Sequence, residues 1–303
     1  MGGRRVDELD DVVVALEARL GPATAEPVLL EGGITNHNYL VRFAERACVV
    51  RIAGKETARL GIDRHAERLA NQTAADLGFA PHVLAHDERW LVTEFVEGSA
   101  GEPAAVREDA EAVARALRSV HDSGVVLPTR FWVPELLEAY AAVVRERGGR
   151  LPEAYEDAQE LTRRIADRLP LRDPVPCHDD LLPGNVMRVG PEGAIMLVDW
   201  EYAGMGHRLF DLGNLAVNNE FGEAEELRLL EAYLRRAPSS ADLAALRLMR
   251  IMSDAREAAW GVIQGVISDL EFDFEDYATR HFDRLAAAAA DPQLQDWFDA
   301  AAA

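Results

Sequence analysis

A chain of 303 residues, 49% of them hydrophobic, carries enough apolar surface for one large domain or two modest lobes, which excludes a disordered polymer. Its 53 aspartates and glutamates against 32 lysines and arginines leave a formal charge of −21, a sign that repels nucleic acid and anionic membranes. That charge serves equally as a solubilising surface or as an attraction for a cationic small molecule, and the sequence leaves both open.

Residues 7 to 20 predict an amphipathic helix, with Leu9, Val12, Val13, Leu16 and Leu20 on one stripe and Gly21-Pro22 as its stop. Acidic residues interrupt that stripe, so it does not read as a secretory signal. No stretch reaches the roughly 18 uncharged apolar residues of a membrane helix. The two cysteines, Cys48 and Cys177, sit in separate apolar runs without CxxC or zinc spacing. Reduced thiols and a cytoplasmic protein are expected.

After the first helix, residues 38–43 and 48–52 read as an antiparallel hairpin with the glycine-containing run EGGITNHN at its mouth. A helix over 64–77 and two strands over 83–85 and 90–95 complete a small sheet with one crossing helix. The small and polar run Glu97-Gly98-Ser99-Ala100-Gly101 marks a lobe boundary, giving expected lobes at 1–97 and 98–303. Beyond it the pattern is helical over 103–121, 134–147, 152–168, 223–236, 240–268 and 276–290. One β-rich interruption spans 175–199, where runs 186–189 and 194–198 flank the turn Gly190-Pro191-Glu192-Gly193.

That interruption holds the most specific segment of the chain, CHDDLLPGNVM over 177–187, followed by LVDWEYAG over 197–204. An Asp-Asp pair before Pro-Gly could be a capped turn, but the full spacing of His178, Asp180, Asn185 and Asp199 across a hairpin outweighs that reading. These residues resemble the HxDxxxxN loop and the second, metal-binding aspartate of the aminoglycoside phosphotransferase and choline kinase superfamily. The resemblance implies an α+β, protein-kinase-like bilobal fold: a small antiparallel-sheet lobe that binds ATP, and a larger helical lobe for catalysis and acceptor binding. Phosphoryl transfer needs a group to take the acceptor's proton and a metal to neutralise phosphate oxygens. Asp180 is the expected base and His178 the expected brace of its loop. Asn185 and Asp199 offer hard oxygen ligands suited to Mg²⁺.

The upstream lobe supplies the other parts such a kinase requires. Gly32, Gly33, Thr35 and Asn36 would cover the phosphates. Arg51 stands where protein kinases have a strand lysine, a departure that resembles choline kinases, and its guanidinium can still grip phosphate oxygens. Glu67 is expected to pair with it, although Asp63 and Asp76 are in the same segment. The backbone from Glu94 to Val96 is the expected reader of the adenine edge.

Residues 260–282, WGVIQGVISDLEFDFEDYATRHF, resemble the C-terminal segment of choline and ethanolamine kinases. A quaternary ammonium donates no N–H, so its recognition relies on aromatic faces and nearby negative charge. The resemblance implies an acceptor site with the rings of Trp260, Phe272 and Tyr277; Glu201 and Tyr202, beside the metal site in DWEYAG, are expected to help close the acceptor site. Without the resemblance, these rings would read as helix packing. Eukaryotic members often carry a further tryptophan where this chain has Glu257, which admits a primary ammonium such as that of ethanolamine. Thiamine, aminoglycoside or homoserine kinases, and a silent pseudokinase, remain the alternatives. GMGHRL over 204–209 lacks a third glycine and a preceding strand, which argues against a dinucleotide loop.

Overall fold

The computed structural model describes residues 3–30, 36–54 and 56–301. Helix α1 (Gly3–Leu20) lays Leu9, Val12 and Leu16 on one face of an antiparallel sheet formed by β1 (Val28–Leu30), β2 (His37–Arg42), β3 (Ala47–Ile52), β4 (Val83–His86) and β5 (Trp90–Glu94), in the order β1-β2-β3-β5-β4. Val41, Cys48, Val50 and Val92 fill the space between them, so alternate residues of three strands make one small core. Helix α2 (Arg64–Asp76) starts where Asp63 accepts the amides of His65 and Ala66, both at 2.8 Å. Its alanines, Ala66, Ala70 and Ala74, pack on the helical core beyond the sheet, which puts Glu67 between the two.

The rest of the chain is mainly helical: α3 (Pro103–Glu108), α4 (Ala110–His121), α5 (Val133–Glu146), α6 (Ala154–Arg168), α7 (Arg208–Asn218), α8 (Glu223–Leu234), α9 (Ser240–Ile267), α10 (Phe274–Ala289) and α11 (Leu294–Ala301). Two small sheets interrupt it. Strand β6 (Gly98–Ala100) pairs with β8 (Val186–Val189), which forms a hairpin with β9 (Ala194–Leu197), while β7 (Val175–Cys177) pairs with β10 (Gly204–Gly206). The 28-residue α9 is the hub, packed against α5, α6, α7, α8, α10 and α11. It begins at a capping box of Ser239 and Asp242. Among the described residues no helix is long and apolar enough to cross a membrane.

The α+β, kinase-like architecture expected from the sequence is the one observed, with several differences in detail. The segment 103–121 is two helices, broken at Asp109. The run GMG at 204–206 is itself a strand, with Gly206 set so close to β7 that a Cβ would lie 3.2 Å from Cys177 Sγ. Strands β1, β6 and β10 and helices α7 and α11 were not expected. Helix α7 is buried nearly all round, so it shows no polar face to read, and Gly213 lets it cross α9 with the Met249 backbone where a side chain would be.

Candidate active site

The segment 178–185 leaves β7 and enters β8 through a short 3-10 turn. Its first residues are fixed from below by α7. Asp211 accepts the backbone amides of His178 and Asp179, both at 2.8 Å, and lies 3.0 Å from His121 Nε2, whose other nitrogen is 2.7 Å from Tyr233 Oη. Burial raises the Asp211 carboxyl, but the bonds from His121 and the loop amides outweigh it and hold the group below the ordinary aspartate value. Asn214 accepts the Leu181 amide and donates to Ser253 Oγ at 2.9 Å, and Asn219 donates to the Leu181 carbonyl at 3.2 Å. Asp179 takes a left-handed φ of 67°, and this sharp turn presents Asp180 on the other side.

His178 is fully buried beside Trp200, its ring centroid 4.5 Å away. Burial lowers its pKa, and the neutral ring donates from Nε2 to the Val198 carbonyl at 3.0 Å while Nδ1 accepts the Asp180 amide at 3.3 Å. The histidine therefore ties the loop to the strand end that precedes Asp199.

Asp180 Oδ1 accepts from Arg256 Nη1 at 3.1 Å and Oδ2 from Asn185 Nδ2 at 3.3 Å. Burial pushes its carboxyl up to about 8, opposed by Arg256 and reinforced by Glu257, Asp199 and Glu201. Asn185 also donates to the Asp180 carbonyl at 2.8 Å, which commits its amide nitrogen and turns the side-chain oxygen to other uses. The β8–β9 hairpin pairs Val186 with Leu197, and Val198 N–H donates to the Asn185 carbonyl at 3.0 Å. Asn185 and Asp199, fourteen positions apart in the sequence, therefore flank the same end of one ladder.

On the sheet side, Arg51 of β3 lies against Glu67 of α2, and its Nη1 donates to Asp199 Oδ1 at 2.6 Å. Asp63 caps α2 and Asp76 ends it, so Glu67 is the acid of that helix that meets Arg51. Arg64 reaches Glu67 at 2.8 Å and Glu201 at 3.5 Å, and burial lowers its pKa. Asn36 donates to Glu201 at 2.8 Å and accepts the Gly54 amide at 3.3 Å. Glu201, expected among the acceptor residues, thus binds Asn36 and Arg64 on the sheet side of Asp199; burial raises its pKa. Gly32, Gly33 and Thr35 lie outside the described residues. At the end of β5 the Glu94 amide donates to His82 and the Phe95 amide to Ala47, so of these three residues only the Val96 amide has no partner among the described residues. The Glu94 side chain pairs with Arg46 at the surface.

The opposite wall belongs to α9 and α10. Trp260 Nε1 donates to Tyr202 Oη at 2.7 Å and packs edge-to-face with Tyr277 and Phe274, at centroid distances of 5.3 and 5.8 Å. Phe272 lies 5.9 Å from Tyr277. Glu257 is not a free charge: Oε1 accepts from Arg256 at 2.8 Å and Oε2 from the Tyr277 hydroxyl at 2.7 Å. Burial raises its pKa, but Arg256, His281 and the Tyr277 hydroxyl together outweigh burial and hold it below the ordinary glutamate value.

Sequence reasoning missed four members of this assembly: Asp211, Asn214, Arg64 and Arg256. The first two act on backbone amides, a role that no spacing rule announces. A signal for Arg256 was present: the charged run Asp254-Ala255-Arg256-Glu257 interrupts an otherwise apolar stretch of a long helix, a pattern that requires buried partners.

A two-lobed kinase-like frame with an HxDxxxxN loop, a hairpin-spaced asparagine and aspartate, and a strand cation paired to a helix acid defines the class of small-molecule kinases. The profile of the phosphotransferase enzyme family matches residues 27–249, and the chain belongs to that family. Ethanolamine kinase 2 of Mus musculus is 28% identical over 288 residues, covering 83% of this chain and 73% of that protein. The structure of a choline/ethanolamine kinase family protein from Mesorhizobium loti superposes with a TM-score of 0.81 at 28% identity, covering 97% of this chain and 99% of the other. Choline kinase LicA from Streptococcus pneumoniae gives 0.80 at 25% identity, covering 94% and 99%, and LicA in complex with AMP gives 0.75 at 25%, covering 95% and 98%. The protein is accordingly a small-molecule kinase with an alcohol as acceptor.

Proposed function

We propose that this kinase transfers the terminal phosphate of ATP, with Mg²⁺, to the hydroxyl of choline or a closely related amino alcohol such as ethanolamine. The observation that carries the reading is the convergence of Asp180, Asn185 and Asp199 at one end of the β8–β9 ladder, facing the Arg51–Glu67 pair across the site.

The donor set fits a magnesium ion. Asn185 has its amide nitrogen committed to Asp180, so it offers a neutral oxygen, and Asp199 offers a carboxylate; both are hard ligands. When bound, the ion neutralises charge on the transferring phosphoryl group. Arg51 and Arg64 supply positive charge for the nucleotide's phosphates, and the Val96 amide, without a partner among the described residues, is our candidate donor to a base edge. Asp180 then accepts the hydroxyl proton of the acceptor as that oxygen attacks phosphorus. An ammonium group arriving beside it favours the charged carboxylate the reaction needs. His178, Asp211 and Asn214 hold the loop so that this carboxylate does not have to find its position during the reaction. The rings of Phe272 and Tyr277, backed by the buried Trp260, are the aromatic surface we assign to the acceptor's ammonium.

The two buried free thiols, Cys48 and Cys177, fit a reducing compartment, and we place the protein in the cytoplasm on that ground. The functional test is acceptor-dependent ADP formation from Mg-ATP with choline, ethanolamine, thiamine and an aminoglycoside. The expected result is turnover with the first two that is abolished by chelating the metal. Turnover confined to thiamine or the aminoglycoside would contradict the acceptor assignment.

A further inference from the structure

Arg256 lies midway along α9, 1% exposed, with its guanidinium carbon 4.3 Å from the centroid of the Tyr202 ring. One of its nitrogens bridges Asp180 and Glu257, at 3.1 and 2.8 Å, while Nε and Nη2 meet no hydrogen-bond acceptor among the described residues. The guanidinium is thus stacked on the ring that it faces and anchored at one corner by two carboxylates. A ring face binds one cation at a time, because a second would meet the first at contact distance. Tyr202 has no other face to offer: it is 6% exposed, part of the core between α5, α7 and α9, and pinned through its hydroxyl by Trp260. Trp260 is itself 3% exposed, its neighbours Phe274 and Tyr277 set against it. Only Phe272, 37% exposed, and the partly buried Tyr277 present ring surface to an arriving molecule.

This matters differently to different ammonium groups. A quaternary ammonium has no N–H and draws its affinity from ring faces, so each face already taken is affinity lost. A primary ammonium donates three hydrogen bonds and can bind through carboxylate and hydroxyl oxygens. We propose that Arg256 is a resident cation that occupies the Tyr202 face and thereby sets acceptor choice, favouring a primary amino alcohol over its trimethylated counterpart. Arg256 is in this sense a specificity residue that acts through Tyr202, Glu257 and Asp180. The inference rests on the amino-alcohol kinase reading and names which members of that class are preferred.

The test is a methylation series. kcat/KM is measured for ethanolamine, its N-methyl and N,N-dimethyl derivatives, and choline, with the wild type and with the double variant Arg256→Leu/Glu257→Gln, which removes the cation together with the Glu257 charge and leaves Asp180 as the one buried acid that loses its partner. The wild type should lose activity along the series, about tenfold or more from the first to the last. The double variant, although slower with every acceptor because Asp180 has lost a partner, should flatten or invert that gradient. Wild-type preference for choline, or an unchanged gradient in the double variant, would overturn the proposal. Should the double variant fail to fold, Tyr202→Leu decides. If Arg256 holds that face, KM for choline and for ethanolamine shift together; a selective tenfold rise for choline would show the substrate holds it and would overturn the inference. Absence of turnover with any of the four acceptors in the wild type would refute the amino-alcohol reading itself, a failure plainly distinct from a reversed preference.

Discussion

The loop that carries Asp180 and the wall that faces it are built by opposite means. Residues 178–181 are held through their backbone, by Asp211, Asn214 and Asn219 accepting and donating to main-chain groups. The functional groups of the wall on α9 and α10 are held by side-chain bonds: Arg256 to Glu257, Glu257 to Tyr277, Trp260 to Tyr202. Support aimed at the backbone fixes a loop whatever side chains it bears. Most of a side-chain wall can be altered one residue at a time without touching that loop; Arg256, which also donates to Asp180, is the link between the two. The difference separates chemistry, which must stay put, from acceptor choice, which can drift.

Substitutions sharpen this contrast, and the largest effect is expected at the chemical centre. Asp199→Asn keeps the shape and removes the carboxylate proposed to hold the metal; kcat should fall by about three to four orders of magnitude with little change in Tm. Comparable loss of Tm would mean that Asp199 is structural through its bond to Arg51. Next, Asp211→Ala leaves two buried amides and His121 without their acceptor, and should cost about 3–5 kcal/mol of stability, read by urea unfolding. If stability held and only kcat changed, the loop would not depend on α7.

The third effect is a pH dependence. His207 caps α7 by accepting the Leu209 amide at 3.2 Å, and burial, with Arg208 and His121 adding, depresses its pKa from 6.5 to about 4. As pH falls below 6.5 the unfolded chain takes up a proton that the folded chain refuses until about 4, so stability is full above the first value and declines toward the second. The loss across that window is about 3–4 kcal/mol at most, at ~1.4 kcal/mol per pH unit. His207→Asn, which can still cap, should flatten that limb of the curve; an identical limb in the variant would place the titration elsewhere. Smallest is Trp260→Phe, which keeps one aromatic ring and deletes the bond to Tyr202 together with the rest of the indole. It should raise acceptor KM severalfold, about 1 kcal/mol, and leave kcat unchanged. A kcat loss as large as that of Asp199→Asn would erase the distinction between loop and wall.

What the sequence disclosed follows the same division. The amphipathic stripe of α1, the hairpin of β2 and β3, and the spacing of His178, Asp180, Asn185 and Asp199 are local patterns, and all could be read directly. Helix α7 could not, because a helix buried on every side and carrying Asp211, Gly213 and Asn214 shows neither a clean stripe nor high propensity. Its polar residues look like loop residues until the amides they serve are known. Glu257 was legible as a departure from the family's aromatic pattern, but its partner Arg256, one residue before it, gave its meaning only in three dimensions: the two charges neutralise one another instead of meeting the acceptor. Glu201 shows the limit of reading by adjacency. It neighbours Tyr202 in sequence, yet the two side chains face opposite halves of the site, one toward Asn36 and the other toward Trp260.

The most direct test of the central claim compares the wild type with Asp180→Asn in one pair of assays, Mg-ATP binding by calorimetry and formation of the phosphorylated amino alcohol by ³¹P NMR. The account predicts that the variant binds nucleotide as the wild type does and forms product at least roughly 10²-fold more slowly, since the carboxylate that accepts the hydroxyl proton is gone. Product formation within a few-fold of the wild type would contradict it, and would move the base to another residue.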